Sequence, residues 1–297
     1  MRILILADIH ANHVALDAVW QAVGEQAFDE IWFLGDLFGR GPWPVEVWDS
    51  LKAANITVWL PGNWDWILAG MWSPARLAPQ WIPGLLWQRQ FLQDVGLFSK
   101  IADFFRRLDF PLMIQRHGML ATHASFGLPG QRPATDDILA EVALEEYLRS
   151  REDFLGAWNR WLIYRERPWG HSRLVGFDRA GQRLPRLMLG GHTHRPVLAS
   201  FHREARQIRF YSVDSSPNTW YTLSEFQCWY INPGSVGAAR GERGFKAEAQ
   251  FAILEQKKGG WRVQFQRIPY DYSLVQQEIR RFYGDVSRAT YGQESLL

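Results

Sequence analysis

The chain has 297 residues, of which 47% are hydrophobic and 14% aromatic, a composition typical of a globular protein with a buried core. Its formal net charge is +2, so the overall charge gives no support to nucleic-acid binding or to attachment at a membrane surface. A single cysteine, Cys228, excludes an internal disulfide and a cysteine-based zinc cage.

The N-terminal run "MRILILAD" is too short for a signal peptide, because Asp8 interrupts it early. No apolar run elsewhere approaches the ~18–20 residues that a membrane span requires. These features favour a cytoplasmic protein without a membrane partner.

Residues 1–70 alternate apolar runs of strand length with stretches of helical spacing. The runs "RILILAD", "IWFLGD" and "ITVWLPGN" predict buried strands. Between them, "HVALDAVWQAV", closed by Gly24, and "PVEVWDSLKAA", opened by Pro44, predict helices. This alternation is typical of an α/β sheet, in which ligand sites favour the rim at the strand ends.

The rest of the chain mixes both kinds of element. Residues 71–110 are rich in Trp and Pro and are predicted to be partly helical, and "GMLATHASF" and "RLMLGGHTH" predict two more strands. Residues 128–186 between those strands predict a mainly helical insertion or cap. Further on, "QIRFYSV" and "FQCWYINPGSV" predict strands, "AQFAILEQKKGGWRVQFQRIPY" predicts a hairpin, and "SLVQQEIRRF" predicts a closing helix.

Polar residues follow the apolar runs at each predicted strand end, in the fragments "ADIH", "LGD", "PGN", "ATH" and "GGHTH". Pairs two residues apart in an extended chain share a face at about 7 Å, which suits one metal ion or two neighbouring ions. Carboxylate and imidazole ligands together are typical of first-row divalent ions. The candidate ligands are Asp8, His10, Asp36, Asn63, His123, His192 and His194.

This ordered set resembles the calcineurin-like metallophosphoesterases, whose motifs are D-x-H, G-D, G-N-H-[DE], H and G-H-x-H. The stretches "DIHANHVAL", "GDLFGRGPWPVEV", "LGGHTHRPV" and "INPGSVGAARGE" are especially similar to a bacterial and archaeal branch of predicted phosphodiesterases. The resemblance covers most of the chain. It implies one α/β domain over residues 1–297, a two-sheet β-sandwich flanked by α-helices.

The resemblance further implies how the ligands divide between two divalent ions, with Mn²⁺ favoured over Fe²⁺, Zn²⁺ or Ni²⁺. Asp36 bridges both ions, and a hydroxide between them attacks phosphorus. Asp36, Asn63 and His123 are thereby predicted as catalytic residues. The first ion is assigned to Asp8, His10 and His194, and the second to Asn63, His123 and His192.

One position departs from the family motif. Where the motif has a His after the Asn, this chain has Trp64, which cannot act as an acid, and the following Asp65 has no His to orient. General-acid assistance is commonly worth about 10²–10⁴ in rate, so poor leaving groups lose most. His13 and His171 are either alternative imidazoles or ordinary surface or packing residues. Trp64 itself either stacks on a nucleobase or packs under the inserted helices.

Three further features have two interpretations each. Arg40 and Arg195 are the cations nearest the candidate ligands in sequence, and each either clamps a phosphate or is solvated. The run "NPGSVG" either offers backbone N–H groups to the site or forms a tight turn between strands.

These observations predict a metal-dependent hydrolase of a small phosphate ester, most simply a phosphodiesterase, with nucleotides among the candidate substrates. A phosphomonoesterase, a nucleotide-polyphosphate hydrolase and a protein phosphatase fit the same ligands. A binding protein that kept the fold and lost catalysis is the rival class. Such proteins lose metal ligands, whereas every ligand position here carries a suitable donor.

Overall fold

The computed structural model of the chain describes residues 1–107, 111–127, 136–166, 175–177, 185–202, 207–216, 218–238 and 247–283. Within these ranges the strands form two mixed β-sheets, and helices flank them. The predicted two-sheet α/β fold is therefore confirmed. No helix in the described part of the chain is long and apolar enough to cross a bilayer.

The strands are short apart from one long hairpin. They are β1 (Arg2–Leu6), β2 (Glu30–Phe33), β3 (Val58–Trp59), β4 (Met113–Arg116), β5 (Met119–Thr122), β6 (Val175–Phe177), β7 (Leu187–Leu189), β8 (Pro196–His202), β9 (Gln207–Tyr211), β10 (Tyr221–Leu223), β11 (Cys228–Pro233), β12 (Glu248–Lys257) and β13 (Gly260–Pro269).

The helices lie mostly in the first half of the chain. They are α1 (His13–Val23), α2 (Pro44–Ala53), α3 (Asn63–Leu68), α4 (Ile82–Asp94), α5 (Phe98–Arg106), α6 (Asp136–Leu144), α7 (Arg151–Glu166) and α8 (Tyr272–Tyr283), with 3₁₀ turns at Pro74–Arg76 and Pro79–Trp81.

The first sheet has the order β10-β13-β12-β1-β2-β3, and the second has the order β6-β4-β5-β7-β11-β8-β9. Strands β1, β2 and β3 are parallel, as are β5, β7 and β11. The carboxyl ends of parallel strands meet at one edge of a sheet. Each sheet therefore gathers the loops that follow its parallel strands.

Alternation along β1 shows how the layers are built. Ile3 and Ile5 belong to the core between the two sheets, together with residues of β5, β7 and β11. Leu4 and Leu6, on the opposite face, pack in the larger core beneath the helices. Strands buried on both faces have continuous apolar runs, which is why "RILIL" identifies a central strand.

Local signals set the ends of the first two helices. Asn12 precedes α1, and its side-chain oxygen accepts a hydrogen bond from the Ala15 N–H at 3.1 Å. Gly24, at a φ of 50°, follows the last turn. Pro44 occupies the first turn of α2, where its missing N–H costs nothing.

The segment predicted as a mainly helical insertion, residues 128–186, contains α6 and α7 in its described part and also the strand β6, which joins β4 in the second sheet. Helix α7 packs on the outer face of that sheet. The rings of Trp158 and Phe201 are 4.0 Å apart between centroids, and Phe154 lies 5.0 Å from Tyr230. The helices thus cover the second sheet.

Candidate metal centre

The polar residues predicted as ligands follow β1, β2, β3, β5 and β7, at the carboxyl ends of parallel strands in both sheets. Asn63 is the first residue of α3, directly after the β3 loop, and His123 follows β5 without a gap. The structure buries all of these side chains, with no more than 9% of any one exposed. The aspartates and histidines among them form two groups that share one carboxylate.

The first group contains Asp8, His10, Asp36 and His194, with one ligand atom from each lying within 4.8 Å of the others. The Nε2 atoms of His10 and His194 are 3.0 Å apart. His10 Nε2 is 3.6 Å from Asp36 Oδ2, and His194 Nε2 is 3.5 Å from Asp8 Oδ1. Since the other ring nitrogen of His10 lies 3.1 Å from the Phe38 carbonyl oxygen, Nε2 faces the group.

The second group contains Asp36, His123 and His192, again within 4.8 Å. His123 Nε2 is 3.5 Å from Asp36 Oδ2, and the two imidazole centroids are 5.1 Å apart. His123 Nδ1 lies 2.8 Å from the carbonyl oxygen of Leu34, which orients Nε2 toward Asp36. Asp36 belongs to both groups, so the structure allows it to serve two ions at once.

Three buried atoms around the second group have no hydrogen-bond partner among the described residues. They are Asn63 Oδ1, His123 Nε2 and His192 Nε2. Leaving a buried polar atom unsatisfied costs about 1–3 kcal/mol, and such atoms in a native protein have a specific reason. A carboxamide oxygen and two imidazole nitrogens beside a carboxylate form a donor set that fits a divalent first-row cation.

The backbone is strained where it presents the ligands. Five of them have left-handed φ angles, a region that residues other than glycine rarely adopt. The values are 55° at Asp8, 52° at His10, 60° at Asp36, 65° at His192 and 56° at His194. Such conformations cost about 1–3 kcal/mol each and cluster at functional sites.

A family model described as calcineurin-like phosphoesterase matches residues 1–196, which is more than half of the chain. The chain belongs to this family. The resemblance inferred from the motifs is thereby confirmed, and membership places the chain among phosphoesterases with groups of residues that can hold metal ions. A search of curated proteins found no significant match.

Solved structures share the family fold over nearly the whole chain. A metallophosphoesterase from Sphaerobacter thermophilus aligns with a TM-score of 0.65 and 23% identity, covering 97% of this chain and 99% of that one. A hypothetical protein from Pyrococcus horikoshii OT3 aligns with a TM-score of 0.61 and 17% identity, covering 98% and 97%. At these identities the likeness establishes the fold alone.

Burial keeps two of the imidazoles in the neutral form that metal binding requires. It lowers the pKa of His10 well below its ordinary value, and the positive charge of Arg40 acts in the same direction. Burial also lowers the pKa of His192, with His123 adding to the effect. His123 differs: burial lowers its pKa, but the carboxylates of Asp36 and Asp8 outweigh burial and raise it to about 9.

Asp65 has a function that the sequence analysis missed. Its carboxylate accepts four backbone N–H groups at 2.9–3.1 Å, those of Asp36, Leu37, Phe38 and Gly62. Burial and the negative charge of Asp36 raise the pKa of Asp65 to about 7, against the stabilisation that the N–H groups give to the carboxylate. Asp65 therefore joins the loops that carry Asp36 and Asn63, without a His partner.

Glycine is required at two positions in these loops, Gly35 and Gly62, and the main physical reason differs between them. Gly35 has a φ of 101°, which favours glycine on conformational grounds. Gly62 has an ordinary φ of −101°, but a Cβ there would lie 2.0 Å from Asp36 Oδ1. Gly62 is thus required by the close approach of the Asp36 side chain.

The "NPGSVG" run is a supporting turn whose polar groups are engaged within the protein. The Gly237 N–H and the Ser235 hydroxyl both donate to the Asp8 carbonyl oxygen, at 3.0 and 2.8 Å. Asn232 donates its side-chain N–H to the carbonyl of Gly191 at 2.6 Å. The turn therefore holds the loops of Asp8 and His192 together, and these groups are not available to a ligand.

Trp64, the departure from the family motif, packs inside the protein. Only 4% of the residue is exposed, and its ring lies 5.7 Å from that of His10 and 6.2 Å from that of Trp81. A Cβ on Gly39 would come within 2.3 Å of the Trp64 ring. One interpretation of the sequence is that Trp64 packs under the inserted helices of residues 128–186. The neighbours found here all precede residue 128 and are not part of those helices. A ring so covered offers little surface to a nucleobase.

The two predicted cations differ in their positions. The Arg40 guanidinium lies 4.5 Å from the ring centroid of Trp81 and 5.9 Å from that of Trp64, on the side of the first group. Arg195 is exposed, and among the described residues no hydrogen bond or ion pair joins it to the ligands. Of the alternative imidazoles, His13 pairs with Asp17 at 3.2 Å on α1, and His171 lies outside the described residues.

Two residues near the second group carried no functional signal in the sequence, because they belong to no motif. The ring of Tyr147 lies 4.1 Å from that of His192, and the Arg149 guanidinium lies 3.7 Å from the Tyr147 centroid. Burial raises the pKa of the Tyr147 phenol, with Arg149 and Arg40 opposing it and Asp36 and Asp8 adding to it. The connection between α6 and α7 thus reaches the site.

Proposed function

We propose that the chain is a dinuclear metal-dependent hydrolase of phosphate esters, and within that class a phosphodiesterase. The observation that carries the proposal is the pair of buried groups sharing Asp36, together with the unpartnered donor atoms of Asn63, His123 and His192. Two-metal phosphoesterases place their ions about 3.5–4 Å apart, a separation that one bridging carboxylate can span.

In this proposal Asp8, His10 and His194 hold the first ion, Asp36 holds both, and Asn63, His123 and His192 hold the second. When bound, such ions activate water as a nucleophile near neutral pH and stabilise negative charge on phosphoryl oxygens. Mn²⁺ is the ion that we expect first, with Fe²⁺, Zn²⁺ and Ni²⁺ as alternatives.

The chain contributes two carboxylates and five neutral donors to this centre. Against two divalent cations, the charges of Asp8 and Asp36 leave the site positive, which favours an anionic phosphate ester. Arg40 adds a cation on the first-ion side. The residues hold the ions in a buried setting, where electrostatic stabilisation is stronger than in water.

The preference for a diester rests on the similarity of the motifs to the phosphodiesterase branch. The covered ring of Trp64 supplies no acid, so esters with good leaving groups should react fastest. A nucleotide diester is one candidate substrate among the small phosphate esters.

The deciding experiment is a substrate screen on purified protein reconstituted with Mn²⁺, using aryl diesters, cyclic nucleotides, dinucleoside polyphosphates and the matching monoesters. We expect diester hydrolysis that Asp36→Ala and His123→Ala abolish, with about two ions bound in the wild type. His13→Ala, which changes a histidine paired with Asp17 on α1, should match the wild type. Binding of metal without hydrolysis of any ester would refute the enzyme proposal, and faster monoester hydrolysis would refute the diester preference.

A further inference from the structure

The connection between α6 and α7 presents an aromatic side chain beside the second group of ligands. The Tyr147 ring is tilted by 40° against the His192 ring at a centroid distance of 4.1 Å. Tyr147 is 43% exposed, so it lies at the surface of the site rather than inside the core. Within the described ranges, no hydrogen bond joins the Tyr147 hydroxyl to another residue.

The start of this connection is fixed to the loop that carries His123. The N–H groups of Ala124 and Ser125 donate to the carbonyl oxygens of Ala143 and Val142, at 2.7 and 3.1 Å. The last turn of α6 is therefore bound to the residues that immediately follow His123. Motion of this helix end would carry a metal-ligand loop with it.

Two further contacts hold the connection in place. Arg76 pairs with Glu145 at 2.7 Å, just before Tyr147. Beyond Tyr147, the Asp153 carboxylate accepts the N–H groups of Arg149 and Ser150, at 2.9 and 2.8 Å. Tyr147 is thus anchored from both sides, which limits the entropy lost when it contacts a substrate.

The guanidinium of Arg149 covers the ring of Tyr147 at 3.7 Å from its centroid. A cation above an aromatic ring is attracted by the ring quadrupole, by about 0.5–1 kcal/mol at exposed positions. The Tyr147 ring therefore has the His192 imidazole and the Arg149 guanidinium as neighbours. Arg149 fixes the ring orientation and adds positive charge at the mouth of the site.

We propose that the Tyr147 hydroxyl donates a hydrogen bond to the leaving-group oxygen of the phosphate ester, and that Arg149 positions the Tyr147 ring for this contact. The inference deepens the proposed function and depends on it. Trp64 supplies no acid at the motif position, and Tyr147 would supply leaving-group stabilisation from a different part of the chain. Tyr147 is a neutral donor beside the ligands, on a segment with no motif.

The reaction balances as an ordinary hydrolysis. Water gives up one proton to solvent and supplies the oxygen that bonds to phosphorus, and the bond between phosphorus and the leaving oxygen breaks with its electron pair passing to that oxygen. The Tyr147 hydroxyl stabilises the negative charge that accumulates on the leaving oxygen and keeps its own proton. Solvent finally protonates the departing alcohol or phenol.

Tyr147→Phe tests the inference, because it removes one oxygen and keeps the ring against His192. Rates are measured for methyl aryl phosphodiesters whose leaving phenols span a range of acidity. Loss of one preorganised donor to a developing oxyanion costs about 10²–10³ in rate where charge is fully developed, so we expect a loss of about 10²-fold for the poorest leaving group. For the nitrophenol ester, the ratio of the wild-type rate to the Tyr147→Phe rate should approach one.

Tyr211→Phe is the matched control, since the Tyr211 hydroxyl contacts Ser200 at 3.1 Å on the second sheet. It should keep the wild-type dependence on leaving-group acidity. Arg149→Gln should make the rate depend more steeply on leaving-group acidity, as Tyr147→Phe does. Arg149→Lys should restore the wild-type dependence. An unchanged slope for Arg149→Gln would remove Arg149 from the inference.

The outcomes separate this inference from the proposed function. A Tyr147→Phe variant that loads metal normally and loses the same factor on every ester, or loses nothing, overturns the role of Tyr147. In either case the wild type still hydrolyses the esters. If the metal-loaded wild type hydrolyses none of them, the proposed function fails and the inference falls with it.

Discussion

The carboxylate of Asp65 accepts the backbone N–H of Asp36 at 2.9 Å, across 29 positions of sequence. The same side chain accepts the Gly62 N–H, also at 2.9 Å. One buried carboxylate therefore fixes the loop of the shared ligand against the loop of Asn63. Removing a hydrogen bond that supports a metal ligand from behind typically weakens metal affinity about 10–100-fold.

Replacing this carboxylate by Asp65→Asn should weaken metal binding about 10–100-fold. The amide keeps one acceptor oxygen and points its NH₂ group at backbone donors, so we also expect a loss of about 3 kcal/mol in unfolding free energy. Metal titration by calorimetry and denaturant unfolding measure the two effects. Asp271→Asn, at the exposed start of α8, is the control, because Asp271 accepts hydrogen bonds from the N–H and the hydroxyl of Ser273. Wild-type affinity in Asp65→Asn would contradict the prediction.

A methyl group at position 62 should displace the shared ligand. In Gly62→Ala the Cβ would meet Asp36 Oδ1 at 2.0 Å and the Asp36 nitrogen at 2.3 Å, so the loop has to move. A misplacement of about 1 Å in a catalytic site can cost about 10²-fold in rate. We expect a loss of that size in kcat/KM on an activated diester. Gly156→Ala in α7, where the nearest atom is 3.6 Å away, should leave the rate unchanged. Equal rates for the two variants would refute the steric argument.

Removal of metal should destabilise the fold. Bound cations would offset the desolvation of the buried Asp8 and Asp36 carboxylates. They would also bind the buried atoms of Asn63, His123 and His192 that have no hydrogen-bond partner among the described residues. Without cations, this stabilisation is lost. At a free metal concentration of 1,000 times Kd, binding contributes about 4 kcal/mol of stability. Chelation should therefore lower Tm by several degrees, and Mn²⁺ should restore it. The Tm of Asp36→Ala should change little on chelation or on addition of Mn²⁺. If the wild-type Tm also stays constant under both treatments, the result argues against the metal site.

Acid should destabilise the protein through Glu30, at the end of the sheet opposite the ligands. Burial alone would raise the pKa of Glu30, but hydrogen bonds from Arg116, His117 and Trp32 outweigh it and lower the pKa from 4.5 to about 2. A lowered folded-state pKa contributes stability that is complete above pH 4.5 and is lost as the pH falls toward 2. The shift corresponds to at most about 3 kcal/mol. In metal-free protein, Glu30→Gln should reduce the fall in unfolding free energy between pH 4.5 and pH 2. Parallel pH profiles for the wild type and Glu30→Gln would contradict this prediction.

Truncating the tryptophan after Asn63 should affect all substrates alike. Because Trp64 is buried against His10 and Trp81, Trp64→Ala should cost about 3–5 kcal/mol in stability and disturb the first group of ligands. We expect the same fold-loss in kcat/KM on nucleotide and non-nucleotide esters. Trp87→Ala, a half-buried residue against Phe282, provides a packing loss away from the ligands. A loss confined to nucleotide esters would support base stacking instead.

Many elements of the fold follow from short-range signals. Apolar runs identified β1, β2 and β3, and Asn12, Gly24 and Pro44 are set by local capping chemistry at helix ends. The strands β4, β6, β8 and β10 were not predicted individually. For β6 and β10, three residues give too little periodicity, and the partner strands β4 and β13 lie far away in sequence.

The amino-acid sequence by itself determined the family and which side chains follow the strand ends, because these are properties of consecutive residues. Only the tertiary structure decided that Asp65 supports Asp36, that Trp64 is covered, and that Tyr147 reaches His192. These contacts join residues distant in sequence, and their distances depend on how two sheets and their loops pack together. No local pattern encodes such an approach.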